Sequence, residues 1–305
     1  MSASTAPRIN RRGIVWFVVI SFGLAWLFDL PMALTGGFNS PWSLLITLQN
    51  FTPALATLLV ARWISPLPNM RRATGLRWGA KGSRWGWYWL FGLAGMTLFN
   101  VAAPFVGALL GVFPLDLAHL SGLREALLHN GGAPLVHQVP LATIALVILV
   151  TLPLQALVIS PINFGEEWGW RGYLLPQLIR AGWPFPLVFS GLVWGIWHFP
   201  LFFLTGYAHG AVSVSLVMFT LLTVLFGVFI GWLRLVSGSV FVAAMAHASF
   251  NGFVQIFFGV SFVGKGAWFW VGDYGALTLL SYAFLVAWLY QSRRVHAVLT
   301  ATIIL

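Results

Sequence analysis

Cysteine is absent from the 305-residue sequence. That excludes disulfides, a thiolate nucleophile and cysteine-based metal sites. Charge is scarce as well. The 16 Lys and Arg and 6 Asp and Glu make up 7% of the chain, against about a quarter in a soluble globular domain. So few charges cannot build a water-facing surface. The apolar content, 59%, excludes intrinsic disorder. The apolar stretches are continuous rather than alternating at period 2, which argues against a transmembrane β-barrel.

What is present is a series of long apolar runs. A membrane-crossing helix takes about 20 mostly apolar residues. Eight candidate runs lie at roughly 14–34, 42–64, 86–113, 140–162, 184–204, 212–233, 239–262 and 269–290. The expected fold is all-α: a polytopic transmembrane helix bundle of about eight spans, a single membrane domain over 1–305. Arg11 and Arg12 precede the first run, but that run is too long for the apolar core of a signal peptide. It reads as a span with a basic flank.

A formal charge of +10 in a soluble protein would suggest nucleic acid. Here the basic residues cluster between apolar runs, as topology signals do, so no nucleic-acid partner is expected. Arg8, Arg11 and Arg12, the stretch from Arg62 to Arg84, Arg234, and Arg293 with Arg294 all fall on one side of an eight-span arrangement. The opposite loops are poor in positive charge, with only Arg124 in 114–139 and Lys265 in 263–268. The expectation is a multi-pass protein of the inner membrane with both termini cytoplasmic. Segment 163–182 must then begin and end on the cytoplasmic side. It is a partly re-entrant helix, or an extension of the fourth span bent near Pro161. Trp85, Trp87, Tyr88 and Trp89 suit an aromatic belt, and the basic loop before them suits anionic lipid headgroups.

Ionisable residues at membrane depth are costly and mark function. Of six acids, Asp116 and Glu125 fall in an outer loop, Asp273 near a span end, and Asp29 near the outer end of the first span, where an interfacial position is favoured over a pairing across the bundle. Glu166 and Glu167 remain, adjacent within Asn163-Phe-Gly-Glu-Glu-Trp-Gly-Trp-Arg171. Each carboxylate costs roughly 2.5–3.5 kcal/mol on insertion scales. Successive helical residues are about 100° apart, so the two point differently. Glu167 and Arg171 share a face in the favoured acid-before-base order. Glu167 therefore reads as charge-paired and structural, and Glu166 as free to act on water. Against this stands the plain alternative that both face the cytosol at a span end.

Two other apolar runs carry polar residues. His198 sits in Trp194-Gly-Ile-Trp-His198, and His247 and Asn251 lie four apart on one helical face. A lone histidine in a span is often a packing residue. Three polar positions beside an acid pair suggest a water-activating site instead. Imidazole and carboxylate also suit zinc, and an asparagine can donate to an oxyanion. His209 reads as a solvated loop residue, and His119, His129 and His137 share the outer loop, where a metal site is the minor reading. Gly165, Gly169, Gly227 and Gly231 read as close-packing positions. Gly169 and Gly172 could in addition admit a substrate backbone.

The order Glu166-Glu167-x-x-x-Arg171, Trp194-x-x-x-His198, His247-x-x-x-Asn251 resembles the three motifs of the CPBP family, the CAAX-protease and bacteriocin-processing membrane proteins also called Abi proteins. The motifs cover about 165–252. Trp194 stands where phenylalanine is commoner. The resemblance implies an intramembrane endopeptidase of about eight helices. Glu166 and His198 would activate the attacking water. His247 and Asn251 would stabilise the oxyanion or help hold a metal. Zinc bound by Glu166, His198 and His247, and a metal-free glutamate mechanism, both remain open. The implied partner is a peptide or protein substrate, lipidated in the CAAX case, within membrane lipid. A catalytically silent immunity or binding protein and a proton-coupled transporter are the competing readings. The transporter would call for paired repeats with broken helices, and no clear pair is found.

Overall fold

The computed structural model describes residues 11–111, 116–129, 133–204, 208, 210–261, 269–270 and 273–304. Arg8, His209 and Lys265 lie outside them, as do parts of the loops 114–139 and 263–268. The described residues contain helices and no strand. Helix is the expected outcome for continuous apolar runs, because it satisfies every backbone polar group within the segment.

The first span is α1 (Arg11–Leu34). The second is broken: Leu45–Gln49, then α2 (Thr52–Leu59), then a π-helical stretch at Val60–Ile64. Pro53 opens α2, where its missing N–H costs nothing. The third runs through Trp85–Leu90 and a π-stretch at Phe91–Gly95 into α3 (Met96–Leu109). The fourth is α4 (Leu141–Glu167), which passes through a π-stretch at Trp168–Leu174 into α5 (Leu175–Arg180). Next come α6 (Pro186–Trp197) and α7 (Phe199–Leu204), α8 (Val212–Ser237), α9 (Val240–Ser261) and α10 (Ala276–Gln291). Among the described residues, four helical runs are long and apolar enough to cross a membrane: α1, the run 141–180, the run 186–203 and α8.

Segment 163–182 extends the fourth span as continuous helix to Arg180. Its departure from α geometry is at Trp168–Leu174, beyond Pro161, which sits inside α4. Besides the short helix Met70–Thr74 in the basic loop, three helices were not expected from the sequence. Ser121–His129 and Ala133–Gln138 occupy the outer loop, where Leu123 packs with Ile144 of α4. The third, α11 (Arg294–Ile304), follows a turn at Arg293 with φ +55° and buries Val295.

Burial sorts the helices. The apolar window of the run 141–180 is only 17% buried, whereas those of 186–203 and α8 are 61% buried. Leu146, Val150, Leu154 and Val158 of α4 point outward; so large an apolar patch suits lipid, not water. The inside is aromatic: Phe17, Trp170, Tyr173, Trp197, Phe226 and Tyr282 are all fully buried. The loop 65–84 is pinned to the turn between α8 and α9. Ala80 N–H and Ser83 Oγ both donate to the Ser237 carbonyl, and Val240 N–H donates to the Gly75 carbonyl. Trp168 Nε1 donates to Thr74 Oγ1 from the π-stretch, tying this loop to the acid-bearing helix.

Asp29 is paired inside the bundle rather than open to solvent. It is 1% exposed and accepts a hydrogen bond from Gln49 Nε2 at 3.2 Å. A polar partner on the neighbouring segment offsets its burial.

Candidate active site

Glu166 and Glu167 are the last two residues of α4, where the backbone passes into π geometry. Such stretches shift the phase of the side chains and recur at functional sites. Glycines let this segment lie against residues 50–53. A Cβ on Gly165 would fall 2.6 Å from the Asn50 carbonyl oxygen, and one on Gly169 would fall 2.2 Å from Pro53 Cβ. These are packing positions, as expected. The access for substrate backbone expected at Gly169 and Gly172 is not there. Pro53 fills the space at Gly169, and the Thr74 carbonyl and Trp168 fill that at Gly172.

Glu167 is fully buried and pairs twice through one oxygen. Its Oε1 accepts from Arg171 Nη1 at 2.9 Å and lies 2.9 Å from His247 Nδ1. The expected i, i+4 pair is therefore present, and α9 supplies a second partner. An ionised carboxylate can only accept, so His247 Nδ1 carries a proton and its Nε2 points away from the pair. Arg171 is also fully buried. Gly227 on α8 makes room for its guanidinium: a Cβ there would sit 2.9 Å from Arg171 Nη2.

Glu166 is held differently. Its Oε2 accepts from Trp194 Nε1 of α6 at 2.6 Å, and its Oε1 accepts from none of the described residues. Trp194 is the hub of the site. The Arg171 guanidinium lies 4.2 Å over its ring, a cation–π contact. The imidazole of His247 meets the ring edge-on at 5.2 Å, and that of His198 at 5.7 Å.

His198 follows α6 directly. Its Nδ1 lies 3.0 Å from the Trp194 carbonyl oxygen. A carbonyl only accepts, so Nδ1 bears the proton and the neutral ring keeps its lone pair on Nε2. Trp197 and Phe219 flank the ring.

Asn251 is half-buried, and its Nδ2 donates to Asn163 Oδ1 at 2.7 Å. Asn163 lies four residues before Glu167, as His247 lies four before Asn251. Helices α4 and α9 are thus joined by two rungs running in opposite chain directions.

The structure brings Glu166, Glu167, Arg171, His198, His247 and Asn251 around Trp194 and the α4–α9 contact. Sequence reasoning missed two members. Asn163 could have been found from its i, i+4 relation to Glu167. Trp194 was noticed only as an aromatic in a position where phenylalanine is commoner; its N–H was the unused signal. Among the described residues no three His, Asp or Glu side chains are grouped to hold a metal. The Nδ1 atoms of His198 and His247 are turned to the Trp194 carbonyl and to Glu167, which leaves Nε2 of each ring as the atom that could meet a ligand.

Residues 138–253 match the model of the Rce1-like family, type II CAAX prenyl endopeptidases. The matched segment is less than half of the chain and contains every residue of the site. No curated protein and no solved structure matches the chain significantly.

Proposed function

We propose, on the premise that residues 138–253 belong to the Rce1-like family of membrane endopeptidases, that Glu166 is the general base of a peptide hydrolysis carried out inside the helix bundle. The observation that supports this most is the asymmetry of the acid pair. Glu167 is neutralised by Arg171 and oriented by His247, while Glu166 has one oxygen held by Trp194 and the other unengaged by the described residues.

In this reading Glu166 Oε1 takes a proton from water as its oxygen attacks the scissile carbonyl carbon. His198 Nε2, the lone-pair atom, accepts a hydrogen bond from the water's other O–H, which stays on the attacking oxygen, and so orients it. Negative charge gathers on the former carbonyl oxygen. Asn251 donates to it the amide hydrogen not given to Asn163, and His247, its Nδ1 held by Glu167, turns Nε2 toward the same oxygen. The C–N bond then breaks, and Glu166 returns its proton to the leaving amine. The substrate is a peptide or protein of the CAAX type, lipidated in that case. It is cut near the cytoplasmic face of the inner membrane, with both chain termini on that side.

The test is cleavage of a prenylated CAAX peptide by the purified full-length chain in proteoliposomes. Glu166→Gln should lower kcat by about 100-fold or more while inserting and unfolding like the wild type. Undiminished cleavage by this variant would overturn the assignment.

A further inference from the structure

We propose that Arg234, together with Arg77 and Arg180, binds the phosphate group of an anionic phospholipid at the edge of the bundle. This site is separate from the acid pair, and the proposal does not depend on the chain being a protease.

Arg234 lies in the last turn of α8 and is 6% exposed. Its Nε is buried without a hydrogen-bond partner, and no described residue bonds any part of its side chain. No carboxylate among the described residues pairs with Arg234, Arg77 or Arg180. Glu167 is taken by Arg171, Glu166 by Trp194, Asp29 by Gln49 and Asp116 by His119 and Ser121. The charges that act on Arg234 are those of Arg77 and Arg180, both of like sign. A buried guanidinium in the field of like charges is strongly unfavourable unless an anion joins it.

The surroundings are built around this group. Gly75, at φ +71°, lies against the guanidinium, and a Cβ there would sit 2.3 Å from Arg234 Nη2. Arg77 is fixed from the other side, its Nε donating to the Gly238 carbonyl at 3.2 Å. Arg180 closes α5 and is exposed.

Depth selects the anion. Trp78 follows Arg77 and is 65% exposed, and Trp87 is 71% exposed. Trp183, three residues past Arg180, is exposed too. Exposed tryptophans mark the headgroup level of a bilayer, where lipid phosphates sit. Guanidinium groups match phosphate oxygens with paired hydrogen bonds. A soluble phosphate offers the same oxygens, so the experiment must separate the two sources.

Full-length protein in detergent is titrated with phosphatidylglycerol, phosphatidylcholine or inorganic phosphate, following lipid retention by native mass spectrometry and the unfolding midpoint. The wild type should retain phosphatidylglycerol over phosphatidylcholine and gain thermal stability from it. Arg234→Gln should weaken that retention about tenfold. If Arg234→Gln does not fold, the double variant Arg77→Gln/Arg180→Gln should show the same loss. Arg62→Gln, an exposed arginine before the same loop, should change nothing. Equal retention of both lipids, unchanged retention in Arg234→Gln or the double variant, or an equal loss in Arg62→Gln overturns the site. Inorganic phosphate that stabilises as well as the lipid overturns the lipid assignment.

Discussion

Trp194 donates its indole N–H to Glu166 Oε2 at 2.6 Å, across two helices and 28 positions of sequence. The same ring stacks under the Arg171 guanidinium. One side chain thus fixes the unpaired acid and covers the cation that neutralises the paired one. Trp194→Phe keeps the ring and removes the donor. It should lower kcat about tenfold, the worth of one hydrogen bond to a charged group, with little change in KM. Steady-state kinetics on the CAAX peptide would check this, and an unchanged kcat would remove Trp194 from the positioning role.

The two glutamates should separate when stability is measured apart from activity. Glu167→Ala leaves Arg171 buried without its counter-charge, at a cost of about 3–5 kcal/mol. Thermal unfolding should fall sharply for this variant and stay near wild type for Glu166→Gln. Equal stability of the two would mean that the Glu167–Arg171 pair does not hold the bundle.

Asn163 supplies the second rung between α4 and α9. Asn163→Ala strands the Asn251 amide and should cost about 1–3 kcal/mol. It should also reduce cleavage, because Asn251 loses the partner that aims it. Wild-type stability and activity together in Asn163→Ala would count against the rung.

Gly169→Ala places a methyl where Pro53 already is. Overpacking of this kind costs about 1–3 kcal/mol. The variant should unfold at lower temperature and lose activity as the acid-bearing segment shifts. A neutral result would show that α2 yields easily.

Chelation tests the donor arrangement. With no three acid or histidine side chains grouped for an ion among the described residues, activity should survive EDTA or phenanthroline. Loss on chelation, with recovery on adding zinc, would mean that Glu166, His198 and His247 regroup around a metal.

The helical runs were readable because each needs only an apolar stretch long enough to satisfy its own backbone. The Glu167–Arg171 pair was readable because four-residue spacing fixes it within one helix. What lay between helices was not. Nothing local says that Trp194 reaches Glu166, or that Gln49 meets Asp29. The break at Asn50 and Phe51 is likewise non-local, since that segment is pressed into the grooves at Gly165 and Gly169. The final helix, α11, escaped notice because it follows a left-handed turn at Arg293 and presents only a narrow apolar stripe around Val295.

The two-rung join between α4 and α9 also acts as a register check. Sliding one helix past the other by a turn would bring His247 toward Arg171, or Glu167 toward Ala243. Either slip parts His247 from Glu167 and Asn251 from Asn163, so misaligned assembly is penalised at the place where chemistry is proposed. A chain whose two helices have locked together has, in the same movement, set its histidine and asparagine in working position.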